Sequence, residues 1–327
     1  MNKFRKILAV FLAISIAFSI TSCRGPAKKP EPVRKPKMDL PQIPSKISKG
    51  ENKEPVLKVY VVQKGRIEEM PLEKYVEGTV AGEIKNDWPI EAIKAQAILA
   101  RTYVLNFVKT KKSKYKGADI STDFEEAQAW NPANVNERIK KAVEETRGVV
   151  AVYNGDFINA WFHSHSAGRT ALAKEGLNYK KGEPPYIVSV QSKESDKAPH
   201  NVKSWSASFT KGEVLSALKK MGVSIGDFKE VKIGKRGPSG RVVTLLFDRT
   251  PVNAPDFRMA IGSERLKSTV IDEVRYDGSR VFFKGRGFGH GVGMSQWGAY
   301  QMAEEGKKAK DILNYYFKGI NIVKIWD

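Results

Sequence analysis

The chain has 327 residues, 41% hydrophobic and 28% charged, which supports a sizeable buried core and excludes a charge-dominated disordered polymer. Its 56 lysines and arginines against 36 acidic residues leave a formal charge of +20, so it should attract a polyanion: nucleic acid, an anionic membrane or an acidic wall polymer. Cys23 is the one cysteine, which excludes an intrachain disulfide.

Residues 1–23 read as a lipoprotein signal peptide. Lys3, Arg5 and Lys6 form a positive start, followed by an apolar run from Ile7 to Ile20. That run has the length of a signal-peptide core and is shorter than the roughly 20 residues of a spanning helix. It ends in Ile20-Thr21-Ser22-Cys23, which looks like a bacterial lipobox and makes Cys23 the candidate lipidation site; the alternative is an uncleaved N-terminal anchor. Either way the rest of the chain is expected to be extracytoplasmic, held at the cell membrane and facing the cell wall, so nucleic acid drops out as a partner. Residues 24–55 are rich in Pro and Lys and lack apolar periodicity, and read as a semi-stiff disordered tether.

The folded region is expected over 56–327, with a strand over Val56–Val62 and a second over Arg66–Met70. Pro71 opens a helix with Leu72, Tyr75, Val76, Thr79 and Val80 at helical spacing; Gly82 marks its end, beside Glu83. A longer helix runs from Pro89 to about Lys109, with Ile90, Ile93, Ala97, Ala100, Val104 and Val108 as its apolar stripe. Arg101 lies on the inward side of this helix or at its edge. It either lays its stem along apolar surface with the head in water, or reaches a site lined by the preceding turn.

Lys111–Asp123 reads as a polar loop, and Asn134–Thr146 as a helix ending at Gly148. Strands Val149–Tyr153 and Phe157–Phe162 flank the hairpin signal Asn154-Gly155. After them come His163 and His165, two residues apart. Zinc needs about four ligands, and little else nearby can supply them. Residues 175–205 are loop-rich; Thr210 caps a helix over Lys211–Met221, and strands follow near Phe228–Ile233, Val242–Phe247 and Val281–Lys284. A short helix over Pro255–Ile261 and helices over Ser295–Glu305 and Lys310–Phe317 complete an α+β fold of mixed strands and helices.

Residues 285–301, GRGFGHGVGMSQWGAYQ, stand apart. Glycine at every second position from Gly285 to Gly293 is incompatible with a helix and offers a strand nothing to pack. It allows positive φ and close backbone approach, as a ligand-lining loop requires. His290, Ser295, Gln296 and Trp297 place an imidazole, a hydroxyl, an amide and an aromatic face in that track.

This run resembles the signature G-x-G-x-G-H-G-x-G-M-S-Q-x-G-A of the stage II sporulation protein D family (SpoIID/LytB). A second stretch, AGEIKNDWPIEAIKAQAILARTY at residues 81–103, is similar to the family's active-site helix pair. The resemblance implies that Glu83 is the catalytic acid/base and Arg101 its supporting cation, with Gln96 in the matching K-A-Q-A segment. Gln128 falls at the family's glutamine in a loosely matching FEEAQAW. Some members hold zinc at the stretch that begins Phe162-His163-Ser164; here Ser166 and Arg169 stand where those members carry a Cys and a second His. No metal and no cofactor is therefore expected, and His163, Ser164 and Thr170 are read as polar contacts lining the groove.

A glycosidase brings two carboxylates to the bond, yet only Glu83 is well placed here. One carboxyl suffices for a lytic transglycosylase, in which the sugar's own 6-hydroxyl replaces water. The resemblance implies that activity on peptidoglycan glycan strands, with 1,6-anhydroMurNAc products, in sporulation or wall remodelling. Some members are instead amidase enhancers, which bind the wall and stimulate an amidase partner.

Overall fold

The computed structural model describes residues 40–50 and 53–327. The signal sequence, Cys23 and residues 24–39 lie outside the described residues. The packed chain starts before Val56. Strand β1 (Ser48–Lys49) pairs antiparallel with β2 (Pro55–Val61), Ile47 is buried, and Glu54 accepts a bond from the Glu73 backbone.

Leu57, Val59 and Val61 point inward from β2 with the period of two that a half-buried strand requires. β3 (Arg66–Pro71) returns antiparallel and hands the chain directly to α1 (Leu72–Glu83). This helix runs through Gly82 instead of ending there. Gly82 is needed for close packing, because a Cβ would sit 2.6 Å from the Ala129 carbonyl carbon. After a turn, α2 (Ile90–Thr110) packs its apolar stripe against α1. Within the segment expected to be all loop, β4 (Ile120–Ser121) adds to β2 in parallel.

Asn136 caps α3 (Glu137–Glu145) by accepting from the Ile139 amide. β5 (Val149–Tyr153) turns at Asn154 and Gly155, both at positive φ, into the short β6 (Asp156–Phe157). The strand expected over 157–162 is in fact two. The chain leaves β6 and re-forms as β7 (Phe162–His163), whose parallel partner lies more than 130 residues away.

The loop-rich segment carries α4 (Ala173–Leu177) and α5 (His200–Lys203). Residues 205–285 then build a core of their own. In chain order they are β8 (Trp205–Thr210), α6 (Lys211–Lys220), β9 (Val231–Ile233), β10 (Thr244–Phe247), β11 (Thr250–Asn253), α7 (Ala254–Ile261), β12 (Ile271–Tyr276) and β13 (Arg280–Gly285). Two antiparallel sheets, β11-β10-β9 and β12-β13-β8, enclose Phe209, Phe228, Phe247, Phe257 and Phe283.

The glycine track leads into β14 (Met294–Ser295), the partner of β7, and then α8 (Gln296–Glu304). α9 (Ala309–Tyr316) packs on α2, and β15 (Asn321–Lys324) completes the sheet on β5. The result is α+β, several small sheets wedged among helices, with α2 at the junction of two apolar clusters.

Candidate functional site

Glu83 is the last residue of α1. Part of the residue remains exposed, but its carboxyl is enclosed and Oε1 accepts a 2.7 Å bond from the Ala129 amide. Burial pushes the carboxyl up to about 7, although the bonds from Ala129 and Gln296 pull it down. The negative end of the α1 dipole acts in the same raising direction.

Around it stand three glutamines. Gln296, the first residue of α8, donates from Nε2 to the Glu83 carbonyl and to Gln96 Oε1, each at 3.4 Å. Gln96 Nε2 has no partner among the described residues, nor has either amide atom of Gln128, which directly precedes Ala129. Such buried, unengaged amides beside a protonatable carboxyl are what a polar ligand site requires. Trp297 continues the wall. Its ring lies 4.6 Å from that of Trp88 and 5.3 Å from that of Tyr300, an aromatic shelf over the turn that follows Glu83.

Arg101 is not part of this assembly. It is fully buried, with Nη2 2.5 Å from Glu73 Oε2 and Nε 3.0 Å from Oε1, and Nη1 donates to the Val149 carbonyl. Glu73 lies ten residues before Glu83 on α1, about 15 Å along the helix axis. The guanidinium therefore ties α1, α2 and β5 together, and among the described residues no cation meets the Glu83 carboxyl. Helical spacing had placed Arg101 inward but could not say which acid it meets.

The second group of expected residues lies on the other side of the Ser295–Trp297 turn. Ser295 donates to Glu194 Oε2 at 2.8 Å, and Ser166 donates to Glu194 Oε1 through both hydroxyl and amide. Ser164 contributes its carbonyl, which accepts from the Trp297 amide. His163 Nδ1 donates to the Val292 carbonyl, while His290 Nδ1 accepts from the Val292 amide, so the two rings brace one residue from both ends. Burial lowers both histidines, His290 to about 3 with help from the Arg258 and Arg241 charges, and both are neutral at physiological pH. Thr170 is buried and bonds the Val188 and Val190 carbonyls, so it does not line an open groove.

The glycine track is closely packed against protein at two of its glycines. A Cβ on Gly291 would lie 2.2 Å from the Arg241 guanidinium carbon, and one on Gly293 2.0 Å from the Trp161 carbonyl oxygen. Both have φ above +70°. Sequence reasoning missed Arg241 and Glu194 in this cluster. Both sit in segments without periodicity, and only the tertiary fold brings them to the track. The residues do not suit a zinc ion: Ser166 is engaged by Glu194, Arg169 bonds Ser189, and no three His, Cys, Asp or Glu side chains converge among the described residues.

A fold of this kind, with a carboxyl held at the junction of a helix pair and a buried Gly-rich strand-to-helix turn, defines a class that comparison with known proteins identifies. The family described as stage II sporulation protein matches residues 61–153, and a domain of unknown function matches residues 164–293. The stage II sporulation protein D of Bacillus amyloliquefaciens is 32% identical over 278 residues, covering 81% of this chain and 77% of that protein. An uncharacterised protein of Brachyspira hyodysenteriae is 31% identical, covering 79% and 68% respectively. The amidase enhancer of Bacillus subtilis is 27% identical over 76% of this chain and 40% of its own length. The chain belongs to the stage II sporulation protein D family. Among the described residues, no helix is long and apolar enough to cross a membrane.

Proposed function

We propose that this chain is a peptidoglycan lytic transglycosylase, with Glu83 as its acid and then its base. What supports the reading is the position of the Glu83 carboxyl, enclosed at the end of α1 beside Ala129 and Gln296 with no cation against it among the described residues, where burial raises it to about 7. A carboxyl at that value is protonated in a useful fraction of molecules at neutral pH and still becomes a competent base.

The protonated Glu83 gives its proton to the oxygen of the MurNAc–GlcNAc bond as that bond breaks. The Glu83 carboxylate then takes the proton of the muramic 6-hydroxyl, whose oxygen closes on C1 to form the 1,6-anhydro ring. Acid and base are the same group, so no second carboxylate and no water is consumed. Gln96, Gln128 and Gln296 offer amides to sugar hydroxyl and acetamide groups, and the Trp88–Trp297–Tyr300 shelf excludes water from one side. His163, Ser164, His290 and Ser295 act behind this surface, holding the turn that presents Gln296 and Trp297. Cys23 serves as the lipid-attachment site that keeps the enzyme at the membrane, facing the wall.

The likeness to an amidase enhancer and the +20 charge favour a second reading, a wall-binding protein that stimulates an amidase. One experiment separates them: mass spectrometry of peptide-free glycan strands after incubation with the detergent-solubilised full chain. Truncation at residue 54 would remove Ile47 and Glu54 from the fold, so the full chain is used. Products ending in 1,6-anhydroMurNAc support the transglycosylase. Reducing ends would mean a hydrolase, and retention without cleavage the enhancer.

A further inference from the structure

A cleft of about 420 Å³ opens on the C-terminal half of α2. Tyr103, Asn106, Phe107 and Thr110 form its floor, and Phe157, Asn159, Trp161 and Tyr179 its walls, with Lys111 and Lys181 at the rim. We infer that this cleft is a second glycan subsite that holds a stretch of N-acetylated, carboxylate-bearing sugars leading to Glu83. The inference rests on the proposed glycan substrate.

Three observations carry it. The first is continuity. Gln96, Tyr103, Asn106 and Thr110 recur at spacings of seven, three and four along about 21 Å of one face of α2, which is buried at Gln96 and opens from Tyr103 onward. Burial raises the Tyr103 phenol to about 12, helped by the charge of Glu126 and then by that of Glu83, which is close enough to be felt.

The second is the chemistry of the lining. The rings of Tyr103, Trp161 and Tyr179 are only half-buried, and Trp161 stands edge-on to Tyr179 at 5.1 Å. Exposed aromatic faces between amides suit a pyranose, which is apolar on its ring faces and polar at its rim. Asn106 Nδ2 donates to Asn159 Oδ1 at 3.2 Å and to the Ile158 carbonyl at 3.3 Å, which fixes both amides. The Asn159 amide also reaches the Tyr186 hydroxyl, and Asn106 Oδ1, which no described residue engages, is left as an acceptor for a hydroxyl or acetamide group.

The third is charge. Lys181 has no carboxylate partner among the described residues, and the Lys111 ammonium lies over the Phe107 ring, 5.5 Å from its centre. Positive charge at the rim of a sugar-sized cleft, with Lys181 free of any carboxylate among the described residues, favours a glycan that carries carboxylates, as peptide-free muramic acid does.

The test is binding, measured separately from cleavage. The full chain carrying Glu83→Gln is titrated with a β-1,4-linked N-acetylglucosamine tetramer and with a peptide-free GlcNAc–MurNAc tetrasaccharide. Trp161→Ala and Tyr179→Leu are each expected to weaken both ligands about tenfold, the loss of one aromatic contact of about 1.4 kcal/mol. Lys181→Ala should weaken only the carboxylate-bearing ligand, and added salt should erase that difference. Tyr179→Leu and Lys181→Ala alter exposed or half-exposed side chains, so they remain informative if Trp161→Ala fails to fold. Ring-dependent binding without cleavage by the unmodified chain would uphold the subsite and overturn the transglycosylase. Cleavage by a chain whose affinity ignores Trp161 and Tyr179 would overturn the subsite alone, as would undetectable binding at millimolar ligand.

Discussion

Glu83→Gln should stabilise the protein above neutral pH while abolishing its chemistry. The folded carboxyl titrates at about 7 against an ordinary 4.5. Below about 4.5 it is protonated in both folded and unfolded chains, and contributes nothing to the pH dependence. Between 4.5 and 7 the unfolded chain ionises first, so folding takes up a proton and stability falls as pH rises. Above 7 the folded protein carries the full cost of an enclosed charge. The difference of about 2.5 pH units, at about 1.4 kcal/mol each, comes to about 3.5 kcal/mol, an upper figure because part of Glu83 remains exposed to solvent. Gln keeps the shape and can still accept from the Ala129 amide but never ionises. Urea denaturation of both proteins from pH 4 to 8.5 should show curves that coincide at the acid end and separate by about 2–3 kcal/mol by pH 8. A gap that is constant with pH, or a variant that grows less stable as pH rises, would refute the account of an enclosed, cation-free carboxyl.

Cleavage should fall as pH rises through about 7, because the protonated fraction of Glu83 falls; a rate that rises across that range would assign the acid to another group. Arg101→Met should destabilise the fold by about 3–5 kcal/mol by stranding Glu73, measured by denaturation. A stable variant that loses only glycan affinity would return Arg101 to the site. Gly82→Ala should cost about 1–3 kcal/mol, since its methyl meets the Ala129 backbone at 2.6 Å and displaces the amide that binds Glu83. Thermal melts together with cleavage assays check that both losses occur.

The parts of the fold that could be read from sequence are those with strong local codes. α1, α2 and α6 follow from apolar spacing and their leading Pro or Thr, and the β5–β6 turn from Asn154-Gly155. β8, β11 and β12 escaped because their neighbours decide them: β8 reads WSASFT, with Ser206, Ala207 and Ser208 between its two buried aromatics, Trp205 and Phe209. At the site, Glu83, Gln96 and Gln296 were legible because motif and position coincide. What the spacing could not supply was pairing. It placed Arg101 near the right helix face but not against Glu73, and it gave no sign that Glu194 would reach across the fold to Ser295.

Those two pairings together bear on the kind of chemistry the site can support. Had Arg101 reached Glu83, the carboxyl would be ionised at neutral pH and unable to protonate a leaving oxygen. Its partnership with Glu73 leaves Glu83 free to hold a proton. Glu194 is the other acid near the Gln296 turn, and a hydrolase would need such a second carboxylate free to activate water or attack the sugar. Ser295 donates to both of its oxygens, and Ser166 adds its hydroxyl and amide on Oε1. A carboxylate so engaged holds the turn in place and is poorly placed to act as base or nucleophile. With Glu194 so engaged, the proposed reaction would draw its second oxygen from the substrate, a requirement that a sugar's own 6-hydroxyl meets.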